Sequence, residues 1–378
     1  MKEVGIYIHI PFCKSKCYYC DFISFSGKEK YIEDYVNALI EEIKHKSVNN
    51  YHVNTIFIGG GTPSIIDAKY IKEIIETIKE YYDYSSEMEV TIEVNPGTVT
   101  KEKLETYYKC GINRLSVGLQ SANDQILKEI GRIHNFEEYK NTIEIAKKVG
   151  FKNINSDIII GLPNQTIYDI ENTIDEMIKL KLTHISVYSL ILEENTKLYE
   201  LVNNDKVKLP DDEMERYMYW YAKRRLEDEG YIHYEISNFA KPGYESKHNL
   251  DCWNQKEYIG FGLNAASYED DIRYKNIISL NNYIKNIENK DFEKNKIIEE
   301  KQSKKDKANE YVILGLRKID GIDSIEFENK FKINFDSLYR NKINKLISMG
   351  LIYLHDNKIK LTDKGIDLAN IVWEEFID

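Results

Sequence analysis

Val4-Gly5-Ile6-Tyr7-Ile8-His9-Ile10-Pro11-Phe12-Cys13-Lys14-Ser15-Lys16-Cys17-Tyr18-Tyr19-Cys20 is the stretch that decides the fold. Its first seven residues are dominated by isoleucine, valine and tyrosine, which reads as a strand over 4–10 that Pro11 closes. Three cysteines follow within eight residues, spaced Cys13-x3-Cys17-x2-Cys20. An acid at Glu3 and the lack of a small-residue cleavage site favour a first strand over a signal peptide.

Working outward, the first half repeats one unit. A helical face over 31–46 carries Ile32, Tyr35, Val36, Leu39, Ile40 and Ile43. Strands are expected at 55–58, 89–94, 114–119, 153–160 and 184–190, with helices from 67, from 100, over 122–130, over 136–149 and over 167–180. Six strand-then-helix units imply a parallel sheet with helical crossovers. No GxGxxG follows the first strand, so a partial (β/α)6 barrel of the TIM type fits better than a dinucleotide-binding fold. In such a barrel function gathers at the carboxyl ends of the strands. The expected division is a barrel core over 1–240, a loop-rich extension and linker over 241–300, and a small winged-helix-like α+β domain over 301–378. Within these, 211–229 reads as a helix, 231–239 as a strand, 241–275 as loops and 285–307 as a charged linker. The hairpin at 351–361 turns at Asp356-Asn357.

The chain has 378 residues, a formal net charge of −11 and 42% hydrophobic residues. That charge argues against a general nucleic-acid-binding surface. Residues 301–378 hold 14 Lys and Arg against 13 Asp and Glu, without the basic excess of a DNA-binding module. No apolar run approaches the ~18 residues a membrane span needs, and a cytoplasmic protein is expected. Five cysteines, Cys13, Cys17, Cys20, Cys110 and Cys252, make a poor disulfide framework and point to reduced thiols. Cys110 reads as a buried small hydrophobe.

Thiolates suit iron–sulfur clusters and zinc. Structural zinc wants four ligands, and no fourth Cys or His stands nearby in sequence; Cys252 or His248 would have to come from afar. Three thiolates on a four-iron cluster instead leave one iron open to a small molecule. Gly59-Gly60-Gly61-Thr62-Pro63, at the end of the second strand, provides backbone that a ligand can approach closely.

Tyr7-x-His9-x-Pro11-Phe12-Cys13-x3-Cys17-Tyr18-Tyr19-Cys20 resembles the opening of the radical-SAM family that contains the oxygen-independent coproporphyrinogen III oxidases. Cys20-Asp21-Phe22 is similar to its haem-chaperone branch. The likeness continues through Gly59–Ser64, Glu93-Val94-Asn95-Pro96, Ser116–Ser121, Asp157 with Gly161-Leu162-Pro163, Tyr234–Ala240, His248-Asn249-Leu250 and Gly315-Leu316-Arg317. The resemblance implies a [4Fe-4S] cluster on Cys13, Cys17 and Cys20 that binds S-adenosylmethionine (SAM). It implies SAM contacts from Tyr7, Tyr19, Gly60, Gly61 and Thr62. Glu93 and Asp157 become partners for ribose or ammonium, Gln120 a polar contact and Arg132 the carboxylate clamp. His248-Asn249-Leu250-Asp251-Cys252-Trp253 resembles a segment of the chaperone branch, with Cys252 in place of its tyrosine, and makes His248 a candidate haem ligand. Two functions compete. One is a chaperone that binds haem and SAM and passes haem to an acceptor protein. The other is radical oxidative decarboxylation of coproporphyrinogen III, which needs an electron donor. The oxidases carry a further cysteine where this chain has Phe22, and an arm ahead of the first strand, so both features favour the chaperone.

Overall fold

The computed structural model describes residues 1–377. The repeating units form in order: β1 (Lys2–Ile10), α1 (Ile32–Lys46), β2 (Tyr51–Gly60), α2 (Ala68–Tyr81), β3 (Asp83–Val94), α3 (Lys101–Cys110), β4 (Arg114–Gln120), α4 (Asp124–Glu129), α5 (Phe136–Val149), β5 (Asn153–Ile160), α6 (Ile167–Lys179) and β6 (His184–Ser189). Each of these strands pairs in parallel with the next. In β1, Ile6, Ile8 and Ile10 are fully buried in one core with Tyr35, Val36 and Leu39 of α1. Gly5, Tyr7 and His9 alternate with them and face inward, as the two-residue period of a strand demands. The expected partial barrel is therefore present.

The arc stays open because both edges are taken. After α7 (Lys197–Asn203) and α8 (Asp212–Asp228), β7 (Ile232–Glu235) and β8 (Asn238–Ala240) form a hairpin whose second strand pairs antiparallel with β6. The single strand expected at 231–239 is thus two. Glu235 accepts from Ser237 N at 3.2 Å and from the Asn238 amide, which closes the turn between them.

Residues 241–275, expected as loops, form α9 (Lys247–Trp253), β9 (Tyr258–Phe261), β10 (Ala266–Glu269) and most of β11 (Ile272–Asn276). β9 pairs in parallel with β1, and with β12 (Lys296–Lys301) at the edge the sheet runs β12-β11-β10-β9-β1-β2-β3-β4-β5-β6-β8-β7. Glu42 of α1 anchors this extension. It accepts from Gly262 N at 2.8 Å, Asn276 Nδ2 at 2.7 Å and the Tyr283 hydroxyl at 2.6 Å. Residues 285–307, expected as a linker, hold the end of α10 (Leu280–Glu288) and β12 (Lys296–Lys301). β12 is an exposed edge strand whose Lys and Glu side chains hid it in the sequence.

A second core is built from α11 (Lys304–Gly315), β13 (Ile322–Asp323), α12 (Ser324–Phe331), α13 (Phe335–Ser348), β14 (Ile352–His355), β15 (Lys358–Leu361), α14 (Asp363–Asp367) and α15 (Ala369–Glu374). The β14–β15 hairpin turns at Asp356, which takes φ 54°. Helices α11, α12 and α13 with the three-stranded sheet make the winged-helix-like arrangement read from the sequence, and α14 and α15 follow it.

Candidate functional site

The carboxyl ends of β1–β6 surround a cavity of about 510 Å3. The cysteine loop closes one side of it. Phe25 N donates to Pro11 O at 2.7 Å and Cys13 N to Phe25 O at 3.0 Å, so the loop folds back on its own entrance. Its far end is tied down where Tyr18 N donates to Ile130 O (2.9 Å) and Leu198 N to Tyr18 O (2.7 Å). Cys13, Cys17 and Cys20 all line the cavity. Burial pushes the free Cys20 thiol up to about 11, so a bound metal is needed to hold it as thiolate at neutral pH.

The glycine turn after β2 lies against this loop. Gly61 N donates to Ile10 O at 2.9 Å and Thr62 N to Phe12 O at 2.8 Å. A Cβ on Gly61 would sit 2.8 Å from Phe12 O and 3.0 Å from Cys13 Sγ. Only glycine permits that approach. Gly60 N donates to Glu93 Oε2 at 3.1 Å.

Glu93 and Asp157 form an acidic pair in the cavity wall. Burial, then the charge of Asp157, pushes Glu93 up to about 8. Burial also raises Asp157, against the donors that hold it: Ser116 Oγ at 3.1 Å and Asn155 Nδ2 at 2.8 Å. Two carboxylates crowded in this way favour a cationic ligand beside them.

Arg132 faces them from the segment after α4. Its Nη2 donates to Gly118 O at 2.7 Å and Asn95 Oδ1 at 2.9 Å, and its Nη1 lies 3.6 Å from Cys17 Sγ. Its buried Nε meets no acceptor among the described residues, and neither does Gln120 Oε1 meet a donor. Gln120 itself takes φ 71°, a conformation that costs about 1 kcal/mol or more away from glycine. A Cβ on Gly118 would come within 2.9 Å of Gln120 Nε2 and 3.1 Å of Arg132 Nη2.

The cavity thus gathers Cys13, Cys17, Cys20, Tyr19, Gly60, Gly61, Thr62, Glu93, Gln120, Arg132 and Asp157. Tyr7 stands next to it: it is half-buried, its hydroxyl is 3.0 Å from His9 Nδ1, its ring stacks on the lining residue Phe57, and burial followed by the charge of Glu93 raises its phenol pKa. His248 does not line the cavity. Its Nδ1 is 2.8 Å from Thr55 Oγ1, its ring stacks on Phe57, and it is 8% exposed. Cys252 lies beside Asp251, Tyr258 and Arg273. Neither distant donor that a zinc site would have needed lines the cavity with the three cysteines. Cys110 is buried on α3, as expected.

Several lining residues had no site role assigned from the sequence. Asn95 orients Arg132, Ser116 and Asn155 hold Asp157, and Arg114, 1% exposed, forms part of the floor with Asn249. Phe22, Tyr188 and Ile191 edge the mouth at 60%, 40% and 70% exposure. Asparagine after a strand and arginine at a strand start are too common to mark a site by type alone.

These features fit a three-thiolate cluster with SAM. SAM carries a sulfonium and an ammonium for the carboxylate pair, a carboxylate for the orphaned arginine nitrogen, and polar edges for Gln120 and the glycine turn.

Comparison with known proteins agrees. The model of the radical SAM superfamily matches residues 7–177, and that of the HemN C-terminal domain matches 302–368. The heme chaperone HemW of Lactococcus lactis is 39% identical over 376 residues, covering 100% of this chain and 98% of that protein. The heme chaperone HemW of Bacillus subtilis is 36% identical, covering 98% of each. Among solved structures, coproporphyrinogen III oxidase (HemN) from Escherichia coli superposes with a TM-score of 0.86 at 23% identity, covering 99% of this chain and 90% of that one.

Proposed function

Because the chain belongs to the HemW family within the radical SAM superfamily, we propose that it is a cytoplasmic haem chaperone that takes up haem and passes it to an acceptor protein. The family brings a [4Fe-4S] cluster and SAM. When bound, the cluster supplies an open iron for the amino-acid end of SAM and a low-potential electron, which a separate donor protein must renew.

The chain's own residues do the holding. Cys13, Cys17 and Cys20 ligate the cluster. Gly60, Gly61 and Thr62 offer backbone to the SAM ammonium, Arg132 takes its carboxylate, and Glu93 and Asp157 compensate its positive charge. Tyr19 and Gln120 close the polar edge. Tyr7 also fixes His9, whose Nε2 is 2.9 Å from Ile23 O and so holds the returning strand of the cysteine loop. Phe22, Tyr188 and Ile191 give an apolar rim suited to the flat, greasy macrocycle of haem. His248 reaches haem only if α9 gives up its contact with Thr55.

One observation carries this reading: a single cavity brings together three thiols, a glycine turn, an acidic pair, an arginine nitrogen without a partner among the described residues, and the exposed apolar side chains of Phe22, Tyr188 and Ile191. The relatives named as haem chaperones span the whole chain at 32–39% identity, whereas the likeness to the oxidase is one of fold. Phe22 stands where the oxidases carry a cysteine. The test is anaerobic incubation of the reconstituted, dithionite-reduced protein with SAM and coproporphyrinogen III, followed by chromatography. The expected result is no turnover to protoporphyrinogen while haem is bound and handed to an apo-haem protein. Catalytic decarboxylation would make the protein an oxidase.

A further inference from the structure

Lys103 occupies the third position of α3, in the first turn, where a cation meets the positive end of the helix dipole. Its side chain is half-buried, and burial lowers its ammonium pKa. Such a placement is unfavourable unless something specific holds the charge. Four backbone carbonyls do: Ser64 O at 2.8 Å, Ile66 O at 3.0 Å, Thr98 O at 3.3 Å and Ile65 O at 3.4 Å. They come from two different loops. Ser64, Ile65 and Ile66 follow the glycine turn of β2, and Thr98 belongs to the turn after β3.

The same two loops are latched a second time. Ser64 Oγ and Thr98 Oγ1 are 2.6 Å apart, Asn95 N donates to Ser64 Oγ at 3.0 Å, and Thr98 Oγ1 donates to Asn95 O at 2.6 Å. Asn95 Oδ1 then accepts from Arg132. One hydrogen-bonded path runs from the Lys103 ammonium to the guanidinium beside the cysteines.

We propose that Lys103 is a positioning residue of the SAM site: its ammonium fills a cage of carbonyls that clamps the Gly60–Thr62 turn to the Asn95 turn and thereby aims Gly61 and Arg132 at SAM. This rests on the assignment of those residues to SAM. Carbonyl oxygens arranged around a point are also how proteins replace the water shell of a monovalent cation. The cage is therefore a cation site filled by the chain's own lysine, and emptying it makes the protein responsive to a free cation.

The experiment is SAM binding to the full-length, cluster-reconstituted protein by anaerobic equilibrium dialysis. Wild type, Lys103→Ala and Lys103→Arg are compared in choline chloride and in ammonium or potassium chloride at equal ionic strength. Wild type is expected to ignore the cation. Lys103→Ala should bind SAM at least tenfold more weakly in choline and recover most of that loss in ammonium or potassium. Lys103→Arg should keep most of the affinity in either salt. The melting temperature of the cluster-free chain gives a second readout: ammonium or potassium should raise it for Lys103→Ala over choline, and not for wild type. The proposal is overturned if Lys103→Ala binds SAM like wild type in choline, or if neither its affinity nor its melting responds to the cation. Failure of wild type itself to bind SAM would instead overturn the site assignment.

Discussion

Arg132 Nη2 donates to Asn95 Oδ1 at 2.9 Å, while the buried Nε of the same guanidinium meets no acceptor among the described residues. The pairing fixes the plane of the group. An unpaired buried donor costs about 1–3 kcal/mol, a cost that a SAM carboxylate would remove. Arg132→Ala is therefore expected to weaken SAM binding by about 100-fold, as charge-assisted bonds contribute about 1.5–3 kcal/mol each. Arg132→Lys should recover little, because an ammonium cannot reproduce the fixed fork. Equilibrium dialysis measures both, and iron content should stay at the wild-type level.

The acidic pair sets a pH dependence. With Glu93 held near 8, much of it is protonated at neutral pH, and a cationic ligand must expel that proton. SAM affinity should rise between pH 6 and 8, by at most about tenfold per unit, and level off above. Folding follows the opposite sign. A carboxyl raised in the folded state contributes stability that is full below its ordinary value near 4.5 and is lost as pH rises through about 8. Glu93→Gln should abolish the pH slope of SAM binding, weaken it at pH 8, and flatten the loss of ligand-free stability toward alkaline pH. Dialysis and thermal melts across this range check both signs.

Iron content separates the cysteines. Cys13→Ala, Cys17→Ala and Cys20→Ala should each lose the cluster after anaerobic reconstitution. Cys110→Ala and Cys252→Ala should retain full iron, since these thiols lie on α3 and beside Arg273, away from the cavity. Loss of iron from Cys252→Ala would return the distant-ligand reading to contention. Iron analysis and absorbance near the cluster bands read the outcome.

At the mouth, Phe22 and Ile191 offer apolar surface to water. Burying such a side chain contributes about 1.5–3 kcal/mol. Phe22→Ser and Ile191→Ser should each weaken haem binding by about tenfold or more and leave SAM affinity unchanged. His248→Ala should leave haem stoichiometry unchanged, because His248 is packed between Thr55 and Phe57. Optical titration with haem distinguishes these cases.

The six parallel strands were legible because their isoleucine-rich cores and the amphipathic helices between them carry unmistakable periods. β9–β11 were not, since they are short and set among glycine and asparagine, and the groups they meet, β1 and Glu42, lie more than 200 residues away in sequence. β12 failed for a different reason: an exposed edge strand rich in Lys and Glu looks like a solvated linker. In the site, the cysteines and the glycine turn stood out because few other roles demand those residues at that spacing. Asn95, Arg114, Asn155 and Lys103 did not, because their meaning lies in what they touch. Tyr7 and His248 were legible as part of the motif; both stack on the lining residue Phe57, and His248 is itself buried.

The most direct test of the central claim is an anaerobic optical titration of the cluster-reconstituted, SAM-bound protein with haem. Saturation at one haem per chain, with the cluster intact and the haem transferable to an apo-haem protein, is the predicted result. Absence of saturable haem binding, in protein shown to hold both cluster and SAM, would contradict the assignment as a haem chaperone.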